Sequence, residues 1–208
     1  MSINIKADMG HECCEGAILA PLTIGDTVPQ EVSFPIYQEG EFSELDFKTL
    51  RGKWVVLLFY PKDFTFVCPT ELGEMATLYE QFTNEGAEVI SVSTDTVEVH
   101  KAWYDTSPTI KTIKYPMAAD PTHYLSELFG VLIEDEGVAN RGTFIISPEG
   151  VIKTLEISCD AVGRSGKETL RKFKAAKFVG ENPANVCPAS WDEGGDVLTP
   201  GADLVGKI

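Results

Sequence analysis

The chemistry available to this chain begins with sulfur. Five cysteines occur, Cys13, Cys14, Cys68, Cys159 and Cys187. Their odd number and irregular spacing argue against a stapled secreted scaffold, and in a reducing compartment the thiols that matter are catalytic, redox-active or metal-binding. Cys68 has the most informative surroundings. In FYPKDFTFVCPTEL (59–72) an apolar strand ends at Tyr60 and a short loop runs from Pro61 to Val67. Cys68 then falls where a helix begins, with Pro69 at its first position and Glu71 in its first turn. Unpaired N–H groups and the positive end of the helix dipole stabilise a thiolate there, and the thiolate is the nucleophile. Thr65 can set its hydroxyl beside that sulfur, to donate to it and to accept from an incoming hydroperoxide. Helix position alone fits a small buried cysteine in a core helix equally well.

The other candidates are weaker. Cys13 and Cys14 form HECC with His11, but adjacent cysteines alone offer poor tetrahedral geometry and no second pair lies nearby. The stretch reads as a flexible extension. Cys159 ends a predicted strand and reads as a structural thiol. His100 lies on a predicted amphipathic helix and reads as a surface residue. No Cys/His pairing motif surrounds Cys68, so protease-like acyl transfer lacks its base. A thioredoxin-type dithiol would need Cys-x-x-Cys, where this chain has Cys68-Pro69-Thr70-Glu71. Neither a metal nor an organic cofactor is expected.

The elements that must position these residues alternate. WVVLLFY (54–60) is a continuous apolar run, as in a central strand buried on both faces, and AEVISVS (87–93) reads as its neighbour. TFIIS (143–147) and VIKTLEI (151–157) flank Pro148-Glu149-Gly150 and read as a hairpin. Leu72, Met75, Ala76, Tyr79 and Phe82 form a helical stripe after Cys68. Asp95 with Glu98 resembles a capping box before a helix holding Trp103, and Ser165 with Glu168 does the same before Leu170, Phe173 and Ala176. Asp120 before Pro121 reads as a helix cap. The pattern predicts an α/β fold with a mixed central sheet flanked by helices. Three regions follow: an extension over 1–21, a domain over 22–180, and a Gly/Pro-rich C-terminal arm over 181–208.

Composition excludes several classes. Of 208 residues, 43% are hydrophobic and 24% charged, which is globular composition, and the formal net charge of -15 repels phosphate backbones and anionic lipid heads. Nucleic acid and membrane are therefore not expected as partners. The longest apolar run, Trp54 to Tyr60, is far short of the ~20 residues that span a bilayer. The N-terminus lacks the basic start and apolar stretch of a secretory signal, so the chain reads as cytoplasmic.

Several separated motifs resemble one family. Pro61, Thr65 and Cys68 fit P-x-x-x-T-x-x-C, similar to the active-site signature of the peroxiredoxins. FVCPTE (66–71) resembles their typical 2-Cys members, and DLVGKI (203–208) the bacterial alkyl hydroperoxide reductase branch. The likeness runs from about Leu22 to Ile208. It implies a thioredoxin-like fold and a thiol peroxidase acting on hydrogen peroxide and organic hydroperoxides. Arg141, in VANRGTFII (138–146), matches the family's catalytic arginine. Glu71 would orient it, Arg164 would help, and Trp103 would pack near the site. Cys187, in NVCPASW (185–191), matches the resolving cysteine, which in typical members forms an intersubunit disulfide with the partner of a homodimer. The resemblance further implies a decamer of five dimers and recycling by a thioredoxin-like or flavoprotein disulfide reductase. Ring-forming relatives also bind unfolding clients, so a holdase chaperone is the alternative function; it would survive Cys68→Ser. The family's overoxidation-sensitive branch carries a Gly-Gly-Leu-Gly insertion and a terminal Tyr-Phe motif. This chain has neither, so slow conversion to sulfinate is expected.

Overall fold

The computed structural model describes residues 20–207. Cys13, Cys14, His11 and most of the expected N-terminal extension lie outside them. The central strand β3 (Trp54–Phe59) is buried along its whole length. Its side chains alternate between two cores, as the two-residue period of a strand demands. Trp54, Val56 and Leu58 face a cluster with Leu72, Met75, Phe82 and Phe173, while Val55, Leu57 and Phe59 face Phe129, Phe144 and Phe47.

Around β3 are β1 (Ser33–Gln38), β2 (Glu41–Asp46), β4 (Ala87–Ser93), β5 (Met117–Ala119), β8 (Arg141–Ile146) and β9 (Ile152–Ser158). The seven form one sheet in the order β2-β1-β5-β4-β3-β8-β9, and a separate two-stranded ribbon joins β6 (Leu132–Ile133) to β7 (Val138–Ala139). Pairs β3–β4 and β4–β5 are parallel, whereas β3–β8, β8–β9, β1–β5 and β1–β2 are antiparallel. The sheet is mixed, as expected, and the hairpin of β8 and β9 is its C-terminal portion. Helices α1 (Cys68–Asn84), α2 (Val97–Thr106), α3 (Tyr124–Leu128) and α4 (Gly166–Glu181) flank it. On one face α1 and α4 pack through Leu72, Met75, Phe82, Leu170 and Phe173.

Of the three expected caps, Ser165 forms half of its box, the Glu168 carboxylate being taken by Arg171, Asp120 holds its helix start, and Asp95 does not cap. Ser165 accepts a hydrogen bond from the Glu168 N–H at 3.3 Å and opens α4. The expected box at Asp95 does not form: α2 begins one residue later, with Thr96 as N-cap. The Asp95 carboxylate instead accepts from the Asp63 N–H and the Ser93 hydroxyl, both at 2.8 Å, so a tertiary donor displaces the local one. Asp120 does satisfy the start of α3, accepting from the N–H groups of Leu125 and Ser126.

Two further expectations are corrected. His100 is fully buried rather than on the surface. Its ring nitrogens lie 2.8 Å from Asp63 Oδ2 and 3.1 Å from the Ala118 carbonyl, and these partners repay its desolvation. Cys159 follows the end of β9 but is exposed, so it is not a core thiol. Beyond α4 the arm folds back on the helix: Trp191 stacks on Phe178, and its carbonyl accepts from Arg171. Among the described residues no helix is long and apolar enough to cross a membrane.

Candidate active site

β3 delivers the chain to the site. Tyr60 is buried and its hydroxyl donates to Asp63 Oδ1 at 2.7 Å, while Asp63 is also held by His100 and Asp95. The loop 61–67 is thus pinned to α2 through the Asp63 carboxylate and to the end of β4 through the Asp95 carboxylate, which holds the Asp63 N–H and the Ser93 hydroxyl. Burial raises the Asp63 pKa, and the hydrogen bond from His100 opposes that rise. Pro61 is buried in this loop. Phe64 adopts φ 55°, a left-handed conformation that a side chain of this size rarely takes. Its ring lies against the buried Trp103, with centroids 6.0 Å apart. Phe66 is almost fully exposed beside them.

Cys68 is the first residue of α1, and Pro69 therefore occupies the second helical position rather than the first. The N-cap, Val67, supplies no side-chain acceptor. Of the leading N–H groups of α1, those of Thr70 and Glu71 donate to the Val67 carbonyl at 3.0 and 3.3 Å, Pro69 has none, and that of Cys68 is left beside the sulfur. The thiol itself is fully buried.

Arg141 opens β8 and brings its guanidinium to the sulfur. Nη1 donates to Cys68 Sγ at 3.3 Å and to Glu71 Oε2 at 2.7 Å. Its other edge grips a single residue: Nε donates to the Asp160 carbonyl at 2.7 Å and Nη2 to Asp160 Oδ1 at 2.8 Å. Glu71 is held from the far side by Arg164, through its backbone N–H (2.7 Å) and Nε (2.9 Å) to Oε1 and Nη2 (3.2 Å) to Oε2. Arg164 Nη1 also donates to the Gly142 carbonyl and Thr143 hydroxyl. The side chains of Arg141, Glu71 and Arg164 are only 2–3% exposed, so this charge pattern sits out of water. Burial by itself pushes the Glu71 carboxyl up, but the hydrogen bonds and charge of Arg164, then the charge of Arg141, hold it below the usual carboxylate range. Burial likewise pulls Arg141 down, and its contacts to Cys68 and Glu71 more than reverse this.

The expected site residues thus divide. Cys68, Arg141, Glu71 and Arg164 converge. Thr65 does not reach the sulfur: its hydroxyl donates to the Lys62 carbonyl at 3.0 Å. Cys187 lies on the arm beside α4, its Sγ 4.0 Å from the Ala175 carbonyl. Burial raises its pKa and the nearby Arg171 charge opposes that. It borders a cavity of about 480 Å³ between α4, β9 and the arm. Cys68, Cys159 and Cys187 are all free thiols. Among the described residues no cluster of three or more His, Cys, Asp or Glu side chains could hold a metal ion. Neither Asp160 nor the Tyr60–Asp63–His100 chain carries a local pattern in the sequence. Their roles exist only once β8 meets β9 and α2 meets the loop.

A buried thiol at a helix start, touched by an arginine that is itself fixed by two carboxylates, can be oxidised by a small molecule whose oxygens the arginine also binds. The profile of the AhpC/TSA family matches residues 24–155. The chain is 50% identical over 172 residues to alkyl hydroperoxide reductase C of Salmonella typhimurium strain LT2, covering 83% of this chain and 92% of that protein. It is 51% identical over 172 residues to alkyl hydroperoxide reductase C of Bacillus subtilis strain 168, with the same two coverages. Among solved structures, Enterococcus faecalis AhpC aligns with TM-score 0.77 and 46% identity over 79% of this chain and 98% of that one. Reduced Plasmodium vivax 2-Cys peroxiredoxin aligns with TM-score 0.83 and 30% identity over 88% and 96%.

Proposed function

The chain belongs to the AhpC/TSA family, and from that membership we propose that it is a thiol peroxidase reducing hydrogen peroxide and organic hydroperoxides at Cys68. The observation that carries the reading is the 3.3 Å contact between Arg141 Nη1 and the Cys68 sulfur, made by an arginine clamped between Glu71 and Asp160.

In the first step the Cys68 thiolate attacks one peroxide oxygen and the O–O bond breaks. The sulfur takes the attacked oxygen with its hydrogen as sulfenic acid, and the other oxygen leaves and takes up one proton from solvent, as water or alcohol. Arg141 and the backbone N–H of Cys68 meet the charge that develops on the departing oxygen, since Pro69 has no N–H and those of Thr70 and Glu71 are held by the Val67 carbonyl; donors already in place cost no reorganisation at that moment. Thr65 joins by turning its hydroxyl from Lys62 toward the sulfur, and Pro61 shields the site from bulk water. Next, the thiol of Cys187 from the partner of a homodimer condenses with the sulfenic acid, releasing water and forming an intersubunit disulfide. A thioredoxin-like or flavoprotein reductase then restores both thiols by exchange. We propose a cytoplasmic location and a decamer of five dimers, in keeping with the family.

The test is non-reducing electrophoresis after one equivalent of hydrogen peroxide, for wild type, Cys68→Ser and Cys187→Ser. A covalent dimer band in wild type alone is expected. Such a band in Cys68→Ser, or peroxide consumption that survives that change, would overturn the assignment.

A further inference from the structure

We propose that Asp160 is the positioning residue for Arg141, holding its guanidinium so that Nη1 stays on the reacting sulfur. The proposal rests on the reading of Cys68 and Arg141 just given. A guanidinium is planar, with donors on more than one edge. Held only through Nη1 by Glu71, it would be free to pivot about that contact. The carbonyl of Asp160 limits that pivot at Nε, and its carboxylate removes what remains by fixing the far end, Nη2.

The fold explains why Asp160 can do this. Arg141 and Ser158 are cross-strand partners at the end of the β8–β9 hairpin, so the turn that follows passes the arginine's head group. The same turn continues onto the rest of the site. At Gly163 a Cβ would lie 3.2 Å from Val67 Cγ1, so the turn runs close against the residue before Cys68. Arg164 then closes on Glu71. Residues 160–164 therefore hold Arg141 directly at one end and, through Glu71, at the other.

Asp160 differs from its neighbours in exposure. Its side chain is 68% exposed, against 2% for Arg141. It can be altered without opening a buried void, and its backbone carbonyl remains as an acceptor whatever the side chain. The carboxylate's role is orientation, so a neutral acceptor of the same shape performs it.

The experiment measures the second-order rate constant for oxidation of Cys68 by hydrogen peroxide in the full chain. Asp160→Ala lowers it about tenfold, a loss in keeping with small misplacements of a transition-state donor. Asp160→Asn stays within about twofold of wild type, because its amide oxygen still accepts from Nη2. In an Arg141→Lys background, where no second edge exists to be gripped, Asp160→Ala costs nothing more. Wild-type speed in Asp160→Ala, equal loss in the Ala and Asn variants, or a tenfold loss persisting beside Arg141→Lys would each overturn the proposal. If Arg141→Lys alone were as fast as wild type, the arginine would have no part in the reaction, and both readings would fall.

Discussion

Replacing His100 by alanine separates a surface histidine from a structural one. The ring is fully buried and bridges Asp63 Oδ2 and the Ala118 carbonyl. Removing it takes a hydrogen bond from a buried carboxylate, worth about 1.5–3 kcal/mol. The emptied ring volume adds a cavity term. Allowing for partial relaxation, the expected loss is about 3–5 kcal/mol, whereas a surface change stays within about 0.5 kcal/mol. Urea unfolding at one fixed protein concentration measures it, since assembly adds to apparent stability. The midpoint should fall with the slope unchanged. The rate of peroxide reduction should fall as well, because Asp63 ties down the loop between Pro61 and Thr65. A loss below about 1 kcal/mol would refute the account of His100 as the anchor of that loop.

Two further outcomes are expected. The folded-state pKa of Glu71 is held below its unfolded value, so its ion pairs contribute stability above about pH 4.3 that is lost as pH falls through the folded pKa. Glu71→Gln should therefore melt below wild type at pH 7 by a margin that narrows at pH 3.5; a constant margin would contradict the linkage. Under millimolar peroxide with active recycling, mass spectrometry should find Cys68 sulfinate accumulating slowly, since the chain has no Gly-Gly-Leu-Gly insertion between its described elements; rapid accumulation would contradict that expectation.

The fold was legible where burial is two-sided or patterned. Trp54–Phe59 reads as a central strand because every residue is apolar, and α1 and α4 read as helices because their apolar residues keep helical spacing. β2 has no buried residue and β5 has three residues in all, so neither carries a pattern to detect. β1 contains Pro35, which lacks the N–H of a strand interior. At the site, Cys68 and Glu71 were legible because a helix start has local rules, and Arg141 because of its motif. His100 was misread because helical periodicity shows a polar residue on a face but not the carboxylate that will meet it. Asp160 gave no signal, since its partner lies 19 residues away across a hairpin.

The site's counter-charges are also distant in time. Arg141 and Arg164 follow Cys68 and Glu71 by 73 and 93 residues. At a synthesis rate of about 5–20 residues per second, roughly 5–20 s separate the emergence of Glu71 from that of Arg164. Until residue 141 is made the nascent thiol has neither arginine nor the sheet partner β8 to build its pocket. A ribosome-bound chain stopped short of residue 141 therefore carries the thiol without the guanidinium that touches it in the finished fold, so the pocket is completed only as β8 and the turn to Arg164 are added.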